Sequence, residues 1–312
     1  MCSANPFGET QLTPDSFAWL PQTIALFILI GSAGPNFNPS LKSSVSGTTL
    51  AANRLSFLSL CLYVPNSWGA AASDYYVYYP QDTPKWKTFI LTFAGLTLSF
   101  WFVDLLGIGL ACGIATNSDW SHAYDTSSGA LIVAGYGPLG TFGKLCAVLI
   151  ALGVIANCVP GTYSAAIGCQ IMGRWGEMLP RWVWVVVLVA IQLACALAGQ
   201  NQLFIIFSNF LALMGYWLMV MICIVLEEHF IFQPKPNWEQ WADHDSVPIG
   251  IAALIAFLLG WVGAVLGMSQ TWFIGPLARA CGQADVGMWV GSAFALIVYP
   301  PLRHWERRRV GR

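Results

Sequence analysis

Polar and apolar positions in this chain alternate on the scale of whole segments. Apolar runs near 18–36, 54–78, 88–113, 141–171, 183–199, 203–229, 248–272 and 286–301 are separated by polar connections. Each is close to the roughly 20 residues an α-helix needs to cross a hydrocarbon layer about 30 Å thick. The pattern predicts an all-α polytopic membrane protein of eight spans, with 1–312 a single integral membrane domain. The sizeable polar stretches, 37–53, 114–137 and 230–247, are too short for an attached soluble domain, and no period of about 20 to 50 residues repeats. The spans differ in texture. The fifth, WVWVVVLVAIQLACALAG, is nearly featureless and reads as lipid-facing, whereas the second and fourth carry polar and helix-disrupting residues.

Composition agrees: 56% of residues are hydrophobic and 9% charged, against about 25% charged in soluble domains, and the mean hydropathy is +0.62. Charge adds an orientation. With eight spans the loops alternate sides, and Lys85, Lys87, Arg174, Arg181, Lys235, Arg303, Arg307, Arg308, Arg309 and Arg312 collect on one side. Lys42, Arg54, Lys144 and Arg279 collect on the other. Positive residues tend to stay cytoplasmic, so both termini are expected inside. The tail RHWERRR then serves to hold the C-terminus in the cytosol, with a specific lipid site as the alternative. A net charge of −1 leaves nothing to neutralise a run of phosphates, so nucleic acid is not an expected partner; membrane lipid is. Trp238 and Trp241 in PKPNWEQWADHD read as interfacial anchors. MCSANPFGETQ lacks the basic start of a signal peptide. The nine cysteines stand singly as small apolar fillers. No hydrolase, P-loop or zinc motif occurs and the four histidines have no ligand spacing, so neither an enzyme nor a metal or other cofactor is expected.

Three places could carry chemistry. In the second span, VPNSWGAAASDYYVYYP sets Pro65, Asn66, Trp68 and Gly69 inside an apolar helix. A proline there removes an amide hydrogen and clashes with the preceding turn, so the helix should break at Pro65 and Gly69, or simply kink. A true break is tolerated only where it is buried or lines a watery cavity. Asp74 and the following YYVYY fall near the cytoplasmic end and read as an aromatic belt. In the fourth span Asn157, Pro160 and Gly161 lie within five residues. A second interrupted span points to a transporter's binding site, with Asn157 as packing glue between helices the alternative. Asp104, well inside the third span, is either an ion or proton relay or the partner of a polar group on a neighbouring helix.

The stretches WLPQTIALFILIGSAGPNF, SWGAAASDYYVYYP, ANCVPGTYSAA and LEEHFIF together resemble the fungal purine-cytosine permeases of the nucleobase:cation symporter family, in order through nearly the whole chain. The resemblance implies a LeuT-like helical bundle of the APC superfamily, with the eight spans matching the fifth to twelfth of a twelve-helix transporter. It implies proton-coupled symport of a purine base or cytosine across the fungal plasma membrane. Trp68 would stack on the base, and Asn157 would bond its edge or hold the cavity, with Pro160 and Gly161 shaping the site. The family's Asn-Asn-Ile-Pro-Asn pattern stands here as Asn157-Cys158-Val159-Pro160-Gly161. Two amides are lost, which bears on which base is preferred. Because the first four spans of the family scheme have no counterpart, the chain is expected to be inactive alone, or to be a non-transporting protein that associates with and regulates a full-length permease.

Overall fold

A computed structural model describes residues 19–80, 82–199, 203–233 and 248–310. The tryptophan-bearing loop, Arg312 and the N-terminal undecapeptide lie outside the described residues. The elements are α1 (Trp19–Ala33), α2 (Gly47–Tyr76), α3 (Lys85–Ile114), α4 (Ser118–Thr126), α5 (Ser128–Gly135), α6 (Gly140–Ile171), α7 (Arg174–Met178), α8 (Arg181–Gly199), α9 (Leu203–Glu227), α10 (Ile251–Gly267), α11 (Pro276–Ala280) and α12 (Gly287–Val310). A π-helical turn, Glu228–Phe232, continues α9. A helix overlaps each of the eight apolar runs, and among the described residues four segments are long and apolar enough to cross a membrane by length and composition: Lys85–Ile114, Gly137–Ile171, Arg181–Gly199 and Ile206–Phe232.

The sequence pattern treats the chain as one unit, whereas its contacts cluster into two, with boundaries inside α3 after Trp101 and inside α8 after Ala194. The first unit holds α1, α4 to α7 and the adjoining parts of α3 and α8. Its core joins Leu29 and Ala33 of α1, Leu106 and Leu110 of α3, Trp120, Leu131, Tyr136 and Cys146. Polar groups there are spent locally: the Asn117 side chain caps α4 by accepting from Asp119 N and Trp120 N, and Ser127 caps α5 by accepting from Ala130 N.

The second unit holds α2, α9 to α12 and the remaining ends of α3 and α8. Here α10 and α12 pack backbone to backbone: a Cβ added to Gly291 would stand 2.9 Å from Gly260 O, and one on Gly260 would stand 3.3 Å from Gly291 O. Small residues let membrane helices approach this closely. At one end, Arg303 of α12 is buried, its side chain 1% exposed. It donates to both carboxylate oxygens of Glu228 at 3.0 Å and to Glu306 Oε2 at 3.0 Å. Glu306 Oε1 in turn accepts from Ile251 N at the start of α10. α12 thus continues past the predicted span, and Arg303 of the basic tail is consumed inside the protein while Arg307, Arg308 and Arg309 remain exposed.

One expectation is corrected. Neither proline interrupts its helix: α2 is continuous through Pro65 and Gly69, and α6 through Pro160 and Gly161. Each proline removes one backbone donor, so the carbonyl four residues back, Cys61 O or Ala156 O, loses that helical bond while the remaining bonds carry the helix through. Ser67 Oγ donates to Val64 O at 2.6 Å, and Thr162 Oγ1 donates to Cys158 O at 2.8 Å.

Removing one partner of a buried ion pair leaves the other uncompensated, at about 3–5 kcal/mol. Arg303→Ala is therefore expected to lower the thermal unfolding midpoint in detergent far more than Arg308→Ala, whose exposed side chain should change stability by less than about 0.5 kcal/mol.

Candidate substrate site

The residues singled out in the sequence fall in both units. On α2, in the second unit, Trp68 and Tyr75 are seven residues apart and so share one helix face. Their rings stack, with centroids 5.2 Å apart and planes inclined by 19°. Trp68 Nε1 donates to Tyr76 Oη at 3.4 Å, and Tyr76 Oη lies 2.5 Å from Thr92 Oγ1 of α3. The stack is built from a helix face without help from any irregular backbone. The Tyr75 hydroxyl is buried with no hydrogen-bond partner among the described residues, so the ring is held by its flat face alone. Asn66 Nδ2 reaches only Met219 Sδ, at 2.9 Å, a weak acceptor. Beyond Tyr76 the apolar and aromatic residues Val77, Tyr78 and Tyr79 are exposed.

On α6, in the first unit, Asn157 and Gly161 are exposed and Pro160 is half-buried. Asn157 has no hydrogen-bond partner among the described residues, so its amide does not act as packing glue there. Thr162, one turn on, is buried and links two helices, accepting at 3.2 Å from Gln192 Nε2 of α8. Ser164 Oγ is buried without a partner. The shallow pocket lined by Ile167, Gln170, Ile171, Gly173, Arg174 and Glu177 contains none of the sequence-predicted residues. Asp104 is half-buried on α3, with no ion pair or hydrogen bond among the described residues. Among those residues, no group of three or more His, Cys, Asp or Glu could hold a metal ion.

Sequence reasoning passed over the most connected polar side chain, Asp285, in the turn before α12 and 7% exposed. Its carboxylate accepts from Tyr63 Oη of α2 at 3.0 Å and from Tyr216 Oη of α9, 2.8 and 2.9 Å from its two oxygens. Gln270 Nε2 donates to it at 3.1 Å and Gly287 N at 3.2 Å. Burial pushes this carboxyl above its ordinary value, and the bonds from Tyr216, Gly287 and Tyr63 pull against that shift. Its backbone is tied as well: Asp285 N donates to Ser56 Oγ at 2.8 Å, and Ser59 Oγ donates to Asp285 O at 3.3 Å. The one advance signal was an acidic residue in an otherwise apolar turn, ADVGMW.

The described residues, helical throughout their long elements and including several bilayer-length apolar helices, define the class of polytopic α-helical membrane proteins. Comparison with known proteins narrows the class. The vitamin B6 transporter TPN1 of Saccharomyces cerevisiae is 33% identical over 87% of this chain and 56% of its own length. The purine-cytosine permease fcyB of Emericella nidulans is 34% identical over 95% of this chain and 59% of its own. The purine-cytosine permease FCY2 of S. cerevisiae is 31% identical over 96% and 57%. The chain belongs to the purine-cytosine permease family, and it spans less than three fifths of the length of these relatives. No protein-family model matches it, and no solved structure does.

Asn157 and Thr162 separate two roles on one helix. Asn157→Ala, which removes no contact, is expected to leave the thermal midpoint unchanged. Thr162→Val, which strands the Gln192 amide, should destabilise by about 1–3 kcal/mol, read in the same unfolding assay.

Proposed function

We propose that this chain binds a small, flat nitrogen heterocycle on the Trp68 face of α2 and takes part in moving it across the fungal plasma membrane. The observation that carries the reading is the Trp68–Tyr75 stack: an indole face held parallel to another ring will also accept a purine, a pyrimidine or a pyridine. Relatives named for purines, cytosine and vitamin B6 support that class, since all three are flat nitrogen heterocycles. In the first unit, taken by itself, Asn157 carries an amide with no hydrogen-bond partner among the described residues, able to donate and to accept. The loss of two amides around it, relative to the family pattern, favours a ligand with fewer edge groups than a purine.

The driving ion in this reading is the proton. Eight helices cross the bilayer with both termini cytoplasmic, in a LeuT-like arrangement; the unequal distribution of Lys and Arg supports that orientation.

The test is binding of labelled cytosine, hypoxanthine and pyridoxine to the purified chain, alongside uptake in yeast lacking its own carriers for each. Trp68→Ala is expected to weaken binding by roughly 10- to 100-fold while Trp68→Phe retains most of it, as stacking of a base on an aromatic ring is worth about 1–3 kcal/mol. Binding of none of the three, by a folded protein at the surface, would overturn the reading. Were such a chain to co-purify with a full-length permease and change its uptake, a regulatory partner would be the better account.

A further inference from the structure

We propose that Asp285, held by Tyr63, Tyr216 and Gln270, is a proton-binding site whose occupancy sets how firmly α2 is tied to α9 and to the turn before α12. That the proton is used in transport rests on the function proposed above; the site itself does not.

The surroundings decide what the carboxylate can take. It is almost fully buried, yet no cation offsets it: the ion pairs among the described residues are those of Arg303. Each neighbouring element presents groups to the Asp285 side chain or backbone. From α2 come Tyr63 and the hydroxyls of Ser56 and Ser59, from α9 Tyr216, and from α12 the Gly287 amide and, through Ser59, Trp289 Nε1. The hairpin between α10 and α11, closed by the Ser269–Ile274 bridge, supplies Gln270. Arg279 of α11 forms no ion pair. The titratable neighbours are thus two tyrosines, neutral at any physiological pH.

Every group bonded to the carboxylate presents a hydrogen. A metal cation needs lone pairs pointed at it, and Tyr63, Tyr216, Gln270 Nε2 and Gly287 N offer none while bonded this way. A proton needs only the carboxylate oxygens. Cys281, Gly282 and Gln283, just before the buried Ala284 and Asp285, are exposed.

Protonation has a structural consequence. The proton arrives from the aqueous phase and forms an O–H bond on the carboxylate, which loses its charge and turns one acceptor into a donor. Tyr63, Tyr216 and Gln270 all converge on Oδ2, so a proton on that oxygen reverses or opens at least one of these bonds. Gln270 Nε2 also donates to Tyr216 Oη at 2.6 Å, so a change at the acid passes along that pair. Tyr63 lies five residues before Trp68, and the hold on α2 thereby reaches the proposed ligand face.

The test is a pH titration of the purified full chain in lipid vesicles, following the infrared C=O stretch of protonated carboxyls and subtracting the same titration of Asp285→Asn. The expected result is a band lost in the variant, with a midpoint above the ordinary Asp value of about 3.9. Tyr216→Phe, which removes a bond that favours the charged form, should raise that midpoint further. A midpoint at or below the ordinary value, or no band that depends on Asp285, overturns the proposal, and so does a midpoint that falls when Na⁺ replaces K⁺. If Asp285→Asn does not fold, the band that shifts upward in both Tyr216→Phe and Tyr63→Phe identifies the group, and its failure to shift in either is equally decisive.

A second readout follows from linkage. A carboxyl whose pKa is raised in the folded state binds its proton more tightly than the unfolded chain does. Its contribution to stability is therefore full below the unfolded value and lost as pH rises through the folded one. The wild-type thermal midpoint should decline across that window relative to Asp285→Asn. Neither measurement needs a bound heterocycle, so a chain that binds no ligand but shows the titration refutes only the proposed function.

Discussion

In hydrocarbon, a backbone or side-chain polar group has no water to turn to, and this constraint organises what is seen at every level of the chain. It explains why the apolar runs fold as long helices. It also favours polar clusters that close on themselves, because a lone buried donor or acceptor is costly, although Tyr75 Oη and Ser164 Oγ stay unpartnered among the described residues. The Arg303–Glu228–Glu306 group is such a network, and the Asp285 group is another. Between these clusters the second unit closes with small residues, Gly260 against Gly291, where packing alone suffices.

The same constraint explains what was legible in the sequence and what was not. Helix positions were legible because a membrane helix must be apolar along its whole length, and that is a local property of the chain. α1 to α3, α6, α8 to α10 and α12 all fall on the apolar runs. The prolines were less legible: Pro65 and Pro160 predict either a break or a kink, and each removes a single bond that a long helix loses without ending.

Asp285 was illegible for a different reason. Its partners Tyr63 and Tyr216 lie 222 and 69 residues away, and only the packing of α2 and α9 onto the turn before α12 brings them together. Tyr75 was read as part of an interfacial belt because it sits in YYVYY, yet the helical period separates it from its neighbours. Spacing of seven from Trp68 puts Tyr75 on the indole, while Tyr78 and Tyr79 are exposed beyond the helix. Two identical residue types three positions apart thus serve different ends, and the period of the helix distinguishes them where composition cannot.

The clusters also bear on how a continuous α2 would serve the proposed function. The first half of the helix is fixed at Ser56, Ser59 and Tyr63 to the Asp285 turn and α9, whereas past Pro65 its bonds to other helices are the weak Asn66–Met219 contact and the Tyr76–Thr92 pair. A proline at the junction removes one intrahelical bond without ending the helix, so bending concentrates there. The half bearing Trp68 is then held by fewer polar contacts than the half bearing Tyr63. A helix need not be broken to divide its labour this way; unequal anchoring on the two sides of one proline is enough.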